Sequence, residues 1–312
     1  MILLVLCFVV TAACAVSLGN HHRAVVIRAV ALALLAAAES YASECPPGEI
    51  PPEQWEKFRS HDFVIADDAR LQDFSLSLLP CLDAADPAIR DGLAIDALTT
   101  WLRNKQIRAA TARRMVMQLI PRLTAPDAAG FGQPFAALAL AELARMDRID
   151  RYLTDAEYAA LVVAASDYLK SVRDYRGFDE REGWRHGVAH GADALMQLAL
   201  NPRTTKAQLD AMLEAIATQV VPPAAHFYVY GEGGRLARPV VFIAQRQLHS
   251  MQEWRTWFAK INAPASFKTQ LGLAMRHNRS AFLNGLYVLI HESDDGAWRA
   301  PILEPLSQAL RE

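Results

Sequence analysis

Two histidines and an aspartate share one stripe of a segment with helical periodicity. His186, His190 and Asp193 follow one another at spacings of four and three residues, which places them on one face of an α-helix. An ordinary solvent-facing stripe usually holds glutamate, lysine and arginine instead. The residue types therefore predict that this stripe faces a cleft, where imidazole and carboxylate groups can exchange protons or bind a metal ion or a ligand.

Several kinds of chemistry fit this spacing, and the sequence leaves them open. An acid–base pair would consist of His190 and Asp193, with Glu182 of the preceding loop as a further catalytic carboxylate. A divalent metal ion could be bound by His186 and His190, one helical turn apart, whereas Asp193 lies too far from His186 along a straight helix to share that ion. The third interpretation is a polar network that binds a ligand or fastens the loop to the helix. The zincin spacing is present, but Gly187 stands where the catalytic glutamate should be, which removes that analogy.

Two glycines, Gly187 and Gly191, lie inside the same predicted helix. Glycine in a helix interior costs about 1 kcal/mol relative to alanine. Close packing of a neighbouring element, or the close approach of a ligand, must compensate for this cost.

Helical periodicity dominates the chain after Pro52. Asp86 and Pro87 predict the start of one helix, and Thr154 with Glu157 forms the capping box of another. Apolar faces with helical spacing predict further helices in 108–123, 134–146, 209–220, 251–261 and 267–290.

Strand signals are nearly absent from the same region. Residues 226–234 are expected to form a structured loop that leads into a helix at Arg235. The pattern predicts an all-α protein, an irregular α/α stack similar to a HEAT-like superhelix, with on the order of ten to twelve helices.

The motif around the histidine stripe resembles the signature of a bacterial family of unknown function, DUF2785. Residues 174–200 read DYRGFDEREGWRHGVAHGADALMQLAL, and members of that family run RG(Y/F) followed by GWxHxxAHxADxL. Three further segments are similar in the same order: FGQPFAALALAEL (131–143), GEGGRLARPVVFIAQR (231–246) and NRSAFLNGLYVLI (278–290). The resemblance covers residues 60–292 and implies a helical, repeat-like domain, but no reaction. Gln133 and Pro134 stand where the family often has arginine and serine, so that arginine is missing here.

Further candidate binding residues flank the stripe. Trp184 and Arg176 belong to the same motif and are candidate binding residues together with His186. Arg235 opens the next predicted helix and could hold a carboxylate or a phosphate in a bidentate manner. The alternative for Arg235 is a surface position without a ligand.

Residues 1–42 have the pattern of an export signal. HHRAVVIR (21–28) supplies a positive region, AVALALLAAA (29–38) an apolar one, and SYA (40–42) small residues ahead of a cleavage site. The alternatives are a membrane anchor formed by residues 1–18 and a translation start further along the chain.

The export interpretation sets the expected domain organisation and location. Residues 43–52 would be a proline-rich spacer and residues 53–312 a single α-helical domain in the periplasm or outside the cell. Cleavage would leave Cys45 and Cys81 as the remaining pair of cysteines in an oxidising compartment, which predicts a disulfide. The alternative is two unpaired thiols, with Cys81 buried as a small apolar residue.

Composition narrows the class of function. Hydrophobic residues make up 52% of the chain and charged residues 21%, so a sizeable core can form, and the net charge of −2 argues against binding to nucleic acid through phosphate neutralisation. The leading hypothesis is a binding or scaffold module for an unknown ligand or protein partner, with a cleft lined by histidine and aspartate. The alternative is a hydrolase that uses His186, His190 and Asp193, with or without a divalent metal ion. Membrane association is expected only if the N-terminal segment stays attached.

Overall fold

The computed structural model describes residues 45, 47, 48 and 50–311 of the chain. The predicted export signal, residues 1–42, lies outside the described residues, as does part of the predicted spacer. Residues from Cys45 onward form one compact unit.

The regular secondary structure of the described residues is almost entirely helical, which confirms the predicted all-α class. Its α-helices are α1 (Trp55–Ser60), α2 (Asp68–Ser77), α3 (Pro87–Ile89), α4 (Asp96–Arg103), α5 (Ala109–Leu119), α6 (Gly132–Ile149), α7 (Asp155–Ser171), α8 (Gly187–Ala199), α9 (Lys206–Val220), α10 (Glu232–Gln245), α11 (Met251–Ile261), α12 (Gln270–Glu292) and α13 (Arg299–Ala309). Short 3-10 helices lie at Pro52–Gln54, Leu79–Asp83 and Ile120–Thr124, and a π-helical turn at Arg90–Ile95 joins α3 to α4. Two short strands, β1 (Phe178–Asp179) and β2 (Gly183–Trp184), pair as an antiparallel hairpin.

Local capping signals place several helix starts as predicted. The side chain of Asp86 accepts a hydrogen bond from the backbone N–H of Ala88 at the start of α3. Thr154 and Glu157 form the predicted capping box of α7. The helix expected from Arg235 begins three residues earlier, at Glu232. The starts of α3 and α7 are fixed by side chains close to them, which is why the sequence reveals these two starts.

Alternate helices pack into two rows. In the first row α4 contacts α6, α6 contacts α8, α8 contacts α10, and α10 contacts α12. In the second row α7 contacts α9, α9 contacts α11, and α11 contacts α13. Contacts of α7 with α8 and of α9 with α10 join the two rows through a continuous apolar core. The central helices α7, α8, α9 and α10 therefore bury their apolar faces against neighbours in both rows, as helices do in α/α repeat stacks.

The two glycines of α8 lie where α7 approaches closely. A Cβ atom at Gly187 would lie 3.1 Å from the Tyr168 hydroxyl, and one at Gly191 would lie 3.0 Å from Cδ1 of Leu169. Close helix packing is thus what compensates for glycine in this helix.

A disulfide ties the beginning of the described chain to the body of the fold. Cys45 and Cys81 are bonded, with their Cα atoms 5.2 Å apart, which confirms the predicted pairing. Cys81 lies in the 3-10 helix Leu79–Asp83 and is fully buried. Among the described residues, no helix has the length and apolar character needed to span a membrane.

Candidate functional site

The helix that carries His190 and Asp193, α8, begins one residue after His186. His186 is the N-cap of α8 and has left-handed backbone angles, φ 57° and ψ 37°, so it lies outside the helix that the sequence predicted to include it. Its backbone N–H donates to the carbonyl of Arg176, and that of Arg185 donates to the carbonyl of Gly177. Residues other than glycine seldom adopt this conformation, although histidine is among those that do so more often. The flanking hairpin thus holds His186 in a turned backbone conformation.

The imidazole of His186 faces a buried carboxylate on α10. Its Nε2 atom is 4.0 Å from Oε1 of Glu232, and the two side chains are only 11% and 3% exposed. This distance is too long for a hydrogen bond. Oε2 of Glu232 accepts the backbone N–H of Tyr230, whereas Nε2 of His186 is buried and has no hydrogen-bond partner among the described residues.

Three exposed aromatic residues cover this pair, and we call them the aromatic rim: Phe178, Trp184 and Tyr230. The indole of Trp184 stacks on the ring of His186, with ring centroids 4.8 Å apart. Phe178 and Tyr230 contact the same indole at centroid distances of 5.1 and 5.5 Å. Their exposed fractions are 45%, 37% and 39%, which is unusually high for three large aromatic residues in contact with one another.

Both histidines titrate well below the ordinary range. Burial, together with the positive charge of Arg235, lowers the pKa of His186 to about 4, against a smaller opposing contribution from the backbone of Tyr230. Burial, followed by the charges of His186 and Arg235, lowers the pKa of His190 to about 3. Each imidazole is therefore neutral at neutral pH and keeps one nitrogen free to accept a hydrogen bond.

His190 is fixed inside the contact between α6 and α8. Its Nδ1 atom is 3.2 Å from the carbonyl oxygen of Pro134, and its ring packs edge-on against Phe135. The residue is only 7% exposed. The contacts of His190 thus hold two helices of the first row together.

Asp193 pairs with an arginine of the next helix, where the sequence predicted a pair with His190. Oδ1 of Asp193 accepts a hydrogen bond from Nε of Arg235 at 2.9 Å, and Oδ2 accepts a second one from Nη2. Burial raises the pKa of Asp193, although Arg235 opposes this shift. Arg235 therefore makes a bidentate contact with a carboxylate, but this carboxylate belongs to Asp193 of the same chain and not to a ligand.

The other predicted residues of the loop serve to fasten it. Arg176 binds the carboxylate of Asp174 and donates to the carbonyl of Ala129. Oε2 of Glu182 accepts a hydrogen bond from Arg185 at 2.8 Å, and the Glu182 side chain is half exposed. Both residues therefore tie the hairpin to neighbouring parts of the chain.

Sequence reasoning missed one buried charged residue that shapes this end of the fold, Arg90, but it did indicate another, Glu232. Arg90 is fully buried, and its Nη2 atom donates to the carbonyl of Glu182 at 2.7 Å. Glu232 opens the same helix as Arg235, and this position near the predicted cleft is the signal that indicates it. Arg90 belongs to none of the segments that were singled out, so its role was not indicated.

A metal ion at the histidine pair would have few protein ligands. The rings of His186 and His190 lie with their centroids 5.8 Å apart. In the part of the chain that the structure describes, no group of three histidine, cysteine, aspartate or glutamate side chains is arranged to hold a metal ion. His186 could still offer its unpartnered Nε2 atom to a ligand.

The fold and the site together define an all-α protein with a buried histidine–carboxylate pair at the end of one helix row. The chain belongs to the family described as Protein of unknown function (DUF2785), whose profile matches residues 119–288. That range contains His186, Glu232 and the whole aromatic rim. Comparison with curated proteins and with solved structures gives no significant match.

Proposed function

We propose that this chain is an exported binding module whose ligand docks at the N-terminal ends of α8 and α10. His186 and Glu232 form the bottom of the site, and Trp184 and Tyr230 form its rim. Arg235 lies one helical turn beyond Glu232 and adds a positive charge beside the site.

The unpartnered nitrogen of His186 is the observation that carries this proposal. Leaving a buried polar atom without a hydrogen bond costs about 1–3 kcal/mol, and most such atoms in proteins are paired. A ligand hydroxyl could lie at the apex of a triangle with the two atoms, donating to Oε1 of Glu232 and hydrogen-bonding to Nε2 of His186. The 4.0 Å separation of these two atoms leaves both of them able to reach one such group.

The aromatic rim indicates what else the ligand carries. Ligand sites combine apolar and aromatic walls with a few polar groups that fix orientation. Trp184 stacks on the ring of His186, and Tyr230 packs edge-on against Trp184. The site therefore suits a ligand with a flat or apolar face next to a hydroxyl or amine group.

The hydrolase alternative receives less support from the same residues. A general base works best when its pKa lies near the operating pH, and the pKa of His190 is about 3. Both oxygens of Asp193 are engaged by Arg235, so this carboxylate is not available to activate a water molecule directly. Binding is therefore the function that the geometry favours.

Export is part of the same proposal. The disulfide between Cys45 and Cys81 supports it, because such bonds persist mainly in oxidising compartments. Intact-mass analysis of the protein recovered from its host is expected to show cleavage after Ala42. A full-length chain in the cytosol, with both thiols reduced, would contradict export without affecting the proposed site.

Binding can be tested with probes that represent the expected chemistry. The purified chain is titrated with methyl β-glucoside, phenol and glycinamide, and NMR follows the Trp184 indole N–H and the His186 ring. We expect saturable shifts of both groups with at least one probe, and loss of the indole shift in His186→Asn. Asparagine is chosen because it tolerates the left-handed backbone. His291→Asn, at an exposed histidine near the end of α12, is the matched control. If none of the probes shifts the indole, or if His186→Asn responds like the parent chain, this is not the binding site.

A further inference from the structure

A second cavity lies away from the histidine pair, at the C-terminal ends of α4 and α6. Its volume is about 210 Å³. Its wall contains apolar and cationic residues side by side, chief among them Leu102, Lys105, Ile107, Arg145, Met146 and Ile149. This combination differs from the aromatic and acidic composition of the proposed binding site.

The apolar part of the wall has room for one ring or a short chain. Leu102 and Ile107 are almost completely buried, and Ile149 at the mouth is 49% exposed. An apolar cavity of about 150 Å³ is sufficient to hold benzene. The cavity therefore admits a group of about that size without rearrangement of the core.

Two cations of the wall are not neutralised by any described residue. Arg103 is paired with Glu142, and Arg151 is paired with Asp155. By contrast, neither Lys105 nor Arg145 forms an ion pair with any residue that the structure describes.

The wall therefore keeps an excess of positive charge. Asp150 also lines the cavity and contributes one negative charge, which the two unpaired cations outweigh. The whole chain is acidic, with a net charge of −2, so this excess is a local feature.

The beginning of α5 contributes a positive potential, which opposes the negative potential of the C-terminal ends of α4 and α6. Ala109, the first residue of this 11-residue helix, is part of the wall. Its N-cap residue, Arg108, makes no side-chain capping hydrogen bond. The first N–H groups of such a helix favour a nearby negative charge.

We infer that this cavity binds a small organic anion with an aromatic ring or a short apolar chain. The carboxylate or a similar anionic group would lie between Lys105 and Arg145, and the apolar part would pack against Leu102, Ile107 and Met146. This site does not depend on His186 or on the proposed function of the α8–α10 site.

The test uses 4-(trifluoromethyl)benzoate, observed by fluorine NMR in the presence of the full chain. We expect saturable binding of this anion, while the neutral 4-(trifluoromethyl)benzamide binds much more weakly. A Lys105→Asn/Arg145→Gln double variant should weaken binding of the benzoate by about tenfold, because both charge-assisted contacts are lost. Asparagine is chosen at Lys105 because that residue has a positive φ of 59°.

Two control variants show whether a loss of benzoate binding is specific to this cavity. Arg114→Gln removes an exposed charge from α5 outside the cavity, and His186→Asn alters the other site; both should bind the benzoate like the parent chain. Equal binding of benzoate and benzamide, equal weakening by Arg114→Gln, or no benzoate binding at about 5 mM would overturn the inference. In those cases Lys105 and Arg145 serve only to complement the C-terminal ends of α4 and α6.

Discussion

Two polar clusters lie next to each other at one end of the first helix row, and they differ in how completely their polar atoms are paired. The first, which we call the arginine cluster, consists of Arg90, Arg185 and Phe131. Both guanidinium groups lie over the ring of Phe131, at 4.1 and 4.2 Å from its centroid. Arg90 also donates hydrogen bonds to the carbonyls of Ala84 and Glu182.

The second cluster is the pair of His186 and Glu232 under the aromatic rim. Here a buried nitrogen lacks a partner, and the backbone of His186 has a conformation that costs energy. Both clusters are built from buried charged or titratable groups, so burial alone does not distinguish them. Complete pairing is typical of a fastening cluster. The Nε2 atom of His186 is one of several buried atoms without a partner among the described residues, and its place under the aromatic rim is what makes it the candidate for a ligand contact.

The largest loss of stability is expected when a guanidinium group is removed from the arginine cluster. Arg90→Met removes a fully buried guanidinium and leaves the carbonyls of Ala84 and Glu182 without their donor. The free energy of unfolding should fall by about 3–5 kcal/mol, as for other broken buried ionic networks. Urea unfolding measures this change, with the exposed Arg114→Met as the control. A loss no greater than that of the control would show that the cluster does not fasten the fold.

Acidification should destabilise the fold through the buried His190. The pKa of His190 in the folded chain is about 3, below the ordinary value of 6.5, so between these values the unfolded chain binds the extra proton. Stability is therefore fully present above about pH 6.5 and is lost as the pH falls. His190 alone contributes up to about 1.4 kcal/mol per pH unit to this loss.

Urea unfolding at several pH values between about 7 and 4.5 checks this expectation. His190→Gln should flatten the pH dependence, because glutamine does not titrate and can still donate to the carbonyl of Pro134. If the variant and the parent chain lose stability in parallel, His190 is not held neutral by its surroundings.

The sequence predicts local features of this fold well. The α11 helix, Met251–Ile261, has the bounds that its apolar spacing predicts, and Asp86 caps α3 as expected. Capping and periodicity act within one or two turns, so they can be recognised in a single segment. The stripe itself was predicted to face a cleft, whereas His190 packs against Pro134 and Phe135 and Asp193 pairs with Arg235.

The partners of the site residues could not be predicted in the same way. Asp193 binds Arg235, which lies 42 residues away, and Arg90 donates to a carbonyl 92 residues away. Such pairs depend on which helices become neighbours in a row, and the spacing within a segment carries no information about that. The left-handed conformation of His186 likewise depends on the hairpin that precedes α8.

The packing beneath both clusters can be tested with a pair of glycines. Gly191→Ala would place Cβ 3.0 Å from the buried Leu169, and the resulting strain should outweigh the gain in helix propensity by about 1 kcal/mol. Gly234→Ala in α10 meets no atom within 4 Å, so it should stabilise the chain by up to about 1 kcal/mol. Thermal unfolding should therefore shift in opposite directions. Shifts of the same sign would mean that α7 can move away from α8, and that close packing does not hold the helix.

The smallest change in the free energy of unfolding is expected for a substitution of His186, the residue that we propose contacts the ligand. In His186→Asn the unpartnered Nε2 atom disappears and the left-handed backbone is retained, so the free energy of unfolding should change by no more than about 0.5 kcal/mol. The loss of stacking on Trp184 and the removal of an unsatisfied nitrogen act in opposite directions. Urea unfolding of His186→Asn and Arg90→Met under the same conditions compares the two clusters directly. A loss for His186→Asn as large as that for Arg90→Met would place the histidine among the fastening residues and remove the main distinction between the two clusters.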